Sequence, residues 1–181
     1  KIKPFLTNSL FSWSVFTNQS VLTNQWLWIF VYGAPVLAVW EFVRNFGVDV
    51  PVFDSLALVD LLYKIDLGDA SFSDFWTLHN EHRFFIPKFA IATLAFMTNW
   101  NTKFQQYFNV VLALVFLAVL YWLSWQKNNG KSPHFANILA AIAMTSLVQY
   151  ENWLWGFQMA WFWINLCLIV ALIYIGNVSI S

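Results

Sequence analysis

Residues Phe84 to Met97 read FFIPKFAIATLAFM, an apolar stretch that is interrupted by Pro87 and Lys88. It is short for a membrane helix, since about 20 residues are needed to cross roughly 30 Å of hydrocarbon. If this stretch spans, the polar segments on either side of it in the chain fall on opposite sides of the membrane. If it lies at the lipid surface, residues 44–106 form one long external segment. The path of this stretch therefore decides the topology.

Two polar islands stand out in the surrounding apolar sequence. The first, Leu78 to Lys88, reads LHNEHRFFIPK and places five polar residues in a row from His79 to Arg83. The second, Tyr150 to Met159, reads YENWLWGFQM and lies between two apolar stretches. Dense polarity beside a membrane usually marks chemistry or an ion pair. We predict that the two islands are walls of one site.

The composition indicates an integral membrane protein. Hydrophobic residues make up 60% of the 181 residues, charged residues only 10%, and there are 12 Trp and 19 Phe. This is more apolar surface than a soluble domain of this length hides in one core. Nine basic residues balance nine acidic ones, so the charge gives no sign of nucleic-acid binding. Cys167 is the single cysteine, which excludes an internal disulfide.

The expected fold class is all-α, a multi-pass transmembrane helical bundle with amphipathic interfacial helices in the first external loop. We treat residues 1–181 as a single membrane domain. The predicted spans are residues 25–43, 107–125, 134–149 and 157–175, and the external loop is 44–106. Because residue 1 is Lys and the chain stops soon after an apolar helix, we expect a portion of a longer chain.

The positive-inside rule favours the version in which Phe84 to Met97 stays at the surface. In that version Lys127 and Lys131 lie in a short cytoplasmic loop, on the same side as Lys1 and Lys3. Both polar islands then face outward.

The external segment has an amphipathic pattern. Ser55 to Leu67 predicts a helix along the bilayer surface, with Asp60 and Lys64 at the i,i+4 spacing that allows pairing. Gly68 is predicted to end it. Ser71 to Asp74 then resembles a helix start with an acid in the first turn. We expect this second helix to carry five side chains of interest: Phe75, Trp76, His79, His82 and Arg83.

On such a helix His79, His82 and Arg83 would share a face, and this set suits an anionic ligand. Two other interpretations remain open. Arg83 could pair with Asp74 or Glu81 to hold the loop in place. The His-x-x-His spacing with a nearby Glu could also suggest a metal, although it lacks the His-Glu-x-x-His pattern.

In the second island, Glu151, Trp155 and Gln158 fall on one stripe of a helix. A carboxylate at the edge of a membrane helix is costly unless it meets water, a partner or a substrate. The tryptophans here fit an interfacial belt, and a sugar-stacking platform is the alternative.

HNEHR followed by an apolar-Pro-basic step, and later ENWLWGFQ before an apolar helix, resemble bacterial multi-pass proteins related to the C-type glycosyltransferases, the GT-C superfamily. The resemblance covers about residues 26 to 175 and implies an N-terminal portion of a larger transferase in the bacterial inner membrane. Enzymes of this superfamily carry a catalytic Asp early in the first external loop, and this sequence offers Asp49 and Asp54. Asp54 is the preferred base, although an Asp at a helix start is also a common cap. Many relatives have adjacent acids at this point, whereas Asp49 and Asp54 are separated by four residues.

The resemblance implies an inverting transfer of a sugar from a polyprenyl-phosphate donor to an acceptor on the outer face. The donor phosphate would lie against Arg83 and the histidines. Glu81 and Glu151 could orient the acceptor or hold a divalent cation. The candidate catalytic residues are thus Asp54, Glu81 and Glu151. The candidate substrate-binding residues are His79, Asn80, His82, Arg83, Asn152, Trp155 and Gln158.

Two further classes remain open. A non-catalytic subunit of a pigment or electron-transfer complex would use His79, His82 or His134 as axial ligands, although none lies in the middle of a clear span. A transporter of lipid-linked sugars would keep the phosphate-binding Arg83 and tolerate loss of Asp54.

Overall fold

The computed structural model describes residues 25–127 and 134–178, and these ranges are mostly helical. The α-helices are, in chain order, Gln25–Phe46 (α1), Val59–Leu67 (α2), Phe72–Trp76 (α3), Phe85–Thr98 (α4), Thr102–Lys127 (α5), His134–Met144 (α6), Tyr150–Leu154 (α7) and Met159–Val178 (α8). Short 3₁₀ segments lie at Phe53–Leu58, Leu147–Gln149 and Gly156–Gln158. Strands Leu78–His79 (β1) and His82–Arg83 (β2) form a small antiparallel hairpin. The all-α class is confirmed for the described residues.

Two of the described helices are long and apolar enough to cross a membrane: α5, with 26 residues, and Gly156–Ile175, which contains most of α8. The predicted spans 107–125 and 157–175 fall within these two. Helix α1 has 22 residues. Near its C-terminal end it carries Glu41 and Arg44, whose side chains pair at 3.1 Å. Its predicted span, 25–43, stays a prediction.

Helix α4 contains the stretch that decides the topology. It has 14 residues, which correspond to about 21 Å of helix and fall short of the roughly 30 Å of hydrocarbon. Pro87 lies in its first turn, where the missing N–H removes no helical hydrogen bond. Lys88 is buried and its Nζ donates to the backbone and side-chain oxygens of Thr77, at 2.8 and 2.7 Å. Burial lowers the pKa of this ammonium group.

The predicted fourth span, 134–149, is not one helix. Helix α6 ends at Met144 after 11 residues, about 16 Å, because the backbone then turns at Thr145 and Ser146. The segment and helix α7 after it nevertheless follow α5, since Ser124 bonds to Asn137 in α6 and Asn109 bonds to Asn152 in α7. Fifteen residues of α5, about 22 Å of helix, separate the two contacts. The segment is therefore a broken helix.

Side chains satisfy the backbone groups that this break releases. Trp153 Nε1 donates to the Ser146 carbonyl at 3.1 Å, and the Gln149 side-chain amide donates to the Met144 carbonyl. Irregular backbone at membrane depth is tolerated where protein groups replace the lost helical hydrogen bonds. The broken helix is thus compatible with a bilayer.

The core lies where α1 ends and where α5 and α8 begin. Its buried members come from α1, the 3₁₀ segment Phe53–Leu58, α4, α5, the second island and α8: Val39, Val43, Leu58, Ile91, Val110, Leu112, Ala113, Trp153, Phe157, Met159 and Phe162. Further along α5 and α8, apolar side chains such as Leu114, Val115 and Leu172 are exposed. Exposed apolar flanks on membrane-length helices are typical of surfaces that contact lipid.

The local predictions for residues 55–74 are confirmed. The Ser55 to Leu67 region is helical, and Lys64 pairs with Asp60 at 3.0 Å. Gly68 ends α2 with φ 75°, a left-handed conformation that glycine adopts without steric cost. Ser71 and Asp74 form a capping box at the start of α3.

A pH dependence follows from the capping box. Hydrogen bonds from Ser71, and then from Lys64, hold the pKa of Asp74 well below its usual range. A carboxyl whose pKa is lower in the folded state stabilises above its unfolded pKa, about 4, and that stability is lost as the pH falls further. We expect the melting temperature in detergent to drop between pH 4 and 2 by more in the parent protein than in Asp74→Asn. Asp66→Asn, at an exposed site, is the control. An equal drop in melting temperature between pH 4 and 2 in all three proteins would contradict this prediction.

The second island packs against α5 so closely that one position must be glycine. A Cβ on Gly156 would lie 2.4 Å from Gln105 Cβ, whereas a Cβ on Gly33 of α1 meets nothing within 4 Å. We expect Gly156→Ala to destabilise the protein by about 1–3 kcal/mol, the usual cost of overpacking. Gly33→Ala should be neutral or stabilising, because alanine is the better helix former. Equal melting temperatures of the two variants in detergent would show that Gln105 moves aside at no cost.

Candidate functional site

Asp54 lies in the first turn of the 3₁₀ segment that follows α1. Its side chain is 47% exposed, so a ligand can reach the carboxylate. The cap position of this segment is Val52, without a side-chain capping bond, and so the alternative in which Asp54 is only a cap is not observed. Phe53 before it has φ 47°, which is unusual and strained for a bulky residue. Strain of this kind often occurs next to functional groups.

Asp49, the other candidate base, has a structural role. Its Oδ1 accepts hydrogen bonds from the backbone N–H of Thr102 at 2.6 Å and from the Thr102 hydroxyl at 3.2 Å. It thereby satisfies a free donor at the start of α5, in the way that N-terminal caps do. Asp49 is thus occupied by Thr102, whereas the carboxylate of Asp54 remains accessible to a ligand.

The prediction that one helix carries His79, His82 and Arg83 is wrong. Helix α3 ends at Trp76, and the chain forms the β1–β2 hairpin in which His79 pairs with His82 and Leu78 with Arg83. Asn80, at the tip, has φ 51°, a conformation that Asn tolerates better than most residues. Side chains alternate along a strand, and directly paired residues share a face. The two histidines therefore share one face and Arg83 lies on the other.

His79 connects the first island to both Asp54 and the second island. Its Nε2 lies 3.7 Å from Asp54 Oδ2, and it is buried without a hydrogen-bond partner among the described residues. Its ring lies 4.9 Å from the ring of Phe157 and 5.6 Å from that of Phe84, centroid to centroid. The expectation that the two islands come together is confirmed.

Arg83 makes different contacts from those expected. Its Nη1 donates to the Trp76 carbonyl at 3.1 Å, and its guanidinium lies 5.1 Å from the centroid of the Trp76 ring. The expected partner Asp74 binds Lys64 instead, at 2.9 Å. Glu81 is exposed at the hairpin tip and does not pair with Arg83.

The predicted helical stripe of the second island is also wrong. Helix α7 ends at Leu154, and Trp155 is extended, with φ −122° and ψ 108°. Trp155 instead turns to the 3₁₀ segment Phe53–Leu58, where its Nε1 donates to Ser55 Oγ at 3.2 Å and its ring lies 5.3 Å from that of Phe53. It thus holds the residues on either side of Asp54.

The remaining candidates of the second island contact mainly their neighbours in the chain. Glu151 is exposed in the first turn of α7, and its carboxylate accepts a long hydrogen bond, 3.4 Å, from the Tyr150 hydroxyl. Asn152 donates to the Gln149 side chain at 3.1 Å. Gln158 is half-buried, and its backbone N–H donates to Trp155 O at 3.0 Å.

Sequence reasoning missed Asn109, which holds the second island in place. This fully buried side chain of α5 donates to the carbonyls of Asn152 and Trp155, at 2.9 and 3.1 Å. An amide within an apolar membrane helix is a recognisable signal, because it needs a partner there. Ser55 and Phe157, by contrast, give no such signal in the sequence.

Over residues 25–127 and 134–178, no group of three His, Cys, Asp or Glu side chains is arranged to hold a metal ion. The His-x-x-His interpretation and the predicted divalent cation therefore have no candidate ligand set in this part of the chain.

The chain was also compared with known proteins. No protein-family model, no curated protein and no solved structure matches it.

Proposed function

We propose that this protein is a membrane glycosyltransferase of the GT-C type, which transfers a sugar from a polyprenyl-phosphate donor to an acceptor hydroxyl. The observation that carries the proposal is the contact between Asp54 Oδ2 and His79 Nε2 at 3.7 Å, beside the packing of the His79 ring against Phe157 of the second island. Two helices able to cross a membrane give the site its lipid setting. We place the protein in the bacterial inner membrane, with the site on the outer face.

The proposed reaction is a single displacement. The Asp54 carboxylate takes the proton from the acceptor hydroxyl, the acceptor oxygen bonds to the anomeric carbon, and the bond from that carbon to the phosphate oxygen breaks. The electron pair leaves with the polyprenyl phosphate. His79 is a positioning residue, since its mostly buried imidazole packs against the stacked rings of Phe84 and Phe157 and faces the carboxylate.

Negative charge grows on the departing phosphate, and the site must stabilise it. His82 shares the hairpin face of His79, is exposed, and can donate to a phosphate oxygen when protonated. We assign to Trp155, Asn152, Gln158 and Asn80 contacts with the sugar and the acceptor, and to Glu81 and Glu151 the orientation of the acceptor. The polyprenyl chain would run along the exposed apolar flanks of α5 and α8.

The test is transfer by the purified full-length protein. Polyprenyl-phosphate-linked hexoses and pentoses, labelled in the sugar, would be offered one at a time with a membrane extract as acceptor. We expect one donor to release free polyprenyl phosphate, and His79→Phe, which keeps an aromatic ring against Phe84 and Phe157, to slow that release.

Two results would count against the proposal. A visible absorbance band in a protein that releases no sugar would indicate the pigment or electron-transfer class. Movement of the intact donor across a vesicle membrane, unaffected by Asp54→Asn, would indicate a transporter.

A further inference from the structure

Aromatic side chains cluster on the exposed surface beside Arg83. The rings of Phe72, Trp76 and Phe85 lie within 6.0 Å of one another, centroid to centroid. Phe72 is 68% exposed and Trp76 is 45% exposed, and the Arg83 guanidinium lies over the Trp76 ring. This aromatic cluster presents an exposed apolar surface with a cation beside it.

The charge of Arg83 has no counterpart in the described part of the chain. No carboxylate there lies within ion-pair distance of it, and Asp74, two residues before Trp76, is occupied by Lys64 and Ser71. An exposed guanidinium that is held in place by a carbonyl and an aromatic ring is well suited to bind a phosphate from outside.

An open apolar groove continues from the aromatic cluster. Its volume is about 380 Å³, and it lies between α2, α3 and α4, with Ile65, Phe75, Phe89, Ala92, Thr93 and Phe96 among its walls. The ring centroids of Phe75 and Phe89 lie 6.1 Å apart. Phe85 precedes Phe89 by one helical turn on the same face of α4. The aromatic cluster and the groove therefore form one continuous surface.

We propose that this surface binds an anionic phospholipid of the bilayer, with the headgroup phosphate on Arg83 and an acyl chain in the groove. Helix α4 packs against α5 and α8, the two membrane-length helices, so lipid is the expected neighbour of its outer face. Aromatic residues combined with a basic residue are characteristic of helices that lie in the membrane interface. The hairpin register turns Arg83 away from His79, which argues for a structural lipid rather than the sugar donor. The proposal does not depend on the transferase function.

The experiment is native mass spectrometry of the full-length protein in detergent, titrated with phosphatidylglycerol or with phosphatidylcholine. We expect tighter retention of phosphatidylglycerol by the parent protein. Arg83→Gln should weaken it about fivefold, the weight of one basic residue at an anionic membrane surface. Arg44→Gln, at an exposed arginine that pairs with Glu41, changes the net charge equally and should have no effect.

A second variant tests the groove. Thr93 is exposed and lines the groove, so Thr93→Trp fills it without disturbing the core, and it should reduce retention of both lipids. Unchanged melting temperatures in lipid-free detergent would show that the variants fold.

The proposal is overturned if Arg83→Gln retains phosphatidylglycerol like the parent, or if Arg44→Gln loses it equally. It is also overturned if polyprenyl phosphate displaces phosphatidylglycerol from this site at lower concentration, because Arg83 would then belong to the donor site.

Discussion

Asp54→Asn is expected to lower the rate of sugar transfer by about 100-fold or more, since a general base contributes about 10²–10⁴-fold. The amide cannot accept the proton, yet it has the same shape and still fits beside His79. The structure gives a reason to expect little change in stability, because Asp54 makes no capping bond and is half-exposed. The measurement is the initial rate of polyprenyl phosphate release by the purified full-length protein.

Asp49 provides the matched control, because it is the other candidate for the general base. Asp49→Asn weakens the cap on α5 and should reduce stability by about 1 kcal/mol, with the transfer rate per folded molecule maintained. If Asp54→Asn transferred sugar at the parental rate while Asp49→Asn abolished transfer, the two assignments would be exchanged. If neither change affected the rate, the base would lie elsewhere.

Trp153→Ala should cause the largest loss of stability, about 3–5 kcal/mol, as is usual when a buried tryptophan is truncated. Trp153 is fully buried, its ring lies 5.2 Å from that of Phe162, and its Nε1 donates to the Ser146 carbonyl. Truncation leaves a cavity in the core and also leaves a carbonyl of the broken helix without its donor. Unfolding in detergent, followed by circular dichroism, measures the effect.

Trp161 serves as the control for Trp153. It is 57% exposed, so Trp161→Ala should change the stability by no more than about 0.5 kcal/mol. A similar loss for both variants would mean that Trp153 contributes no more than a surface tryptophan.

The predictions that succeeded rest on interactions between residues close in the sequence. The Asp60–Lys64 pair, the end of α2 at Gly68 and the capping box of Ser71 and Asp74 each depend on three to five consecutive residues. The helices that contain the two most apolar predicted spans were also predicted correctly, because length and hydropathy are local properties of the sequence.

The failures occurred where the chain departs from regular helix. The spacing of His79, His82 and Arg83 fits a helical face, but the chain turns at Thr77 and pairs His79 with His82 across a hairpin. The stripe through Glu151, Trp155 and Gln158 fails because Trp155 leaves the helix to bond with Ser55. Helical periodicity cannot reveal a partner that lies 100 residues away.

For this protein, then, composition and short-range patterns were sufficient to establish a helical, apolar chain with two polar islands and a capped amphipathic segment. They left open which acid is free, which way Arg83 faces and whether the islands meet. The tertiary structure answered those questions, because Thr102 occupies Asp49, Trp76 holds Arg83 and Phe157 lies against His79. The contacts of Asp49 and His79 join residues that are close only when distant segments pack, and the contact of Arg83 arises only because the chain turns into a hairpin after α3.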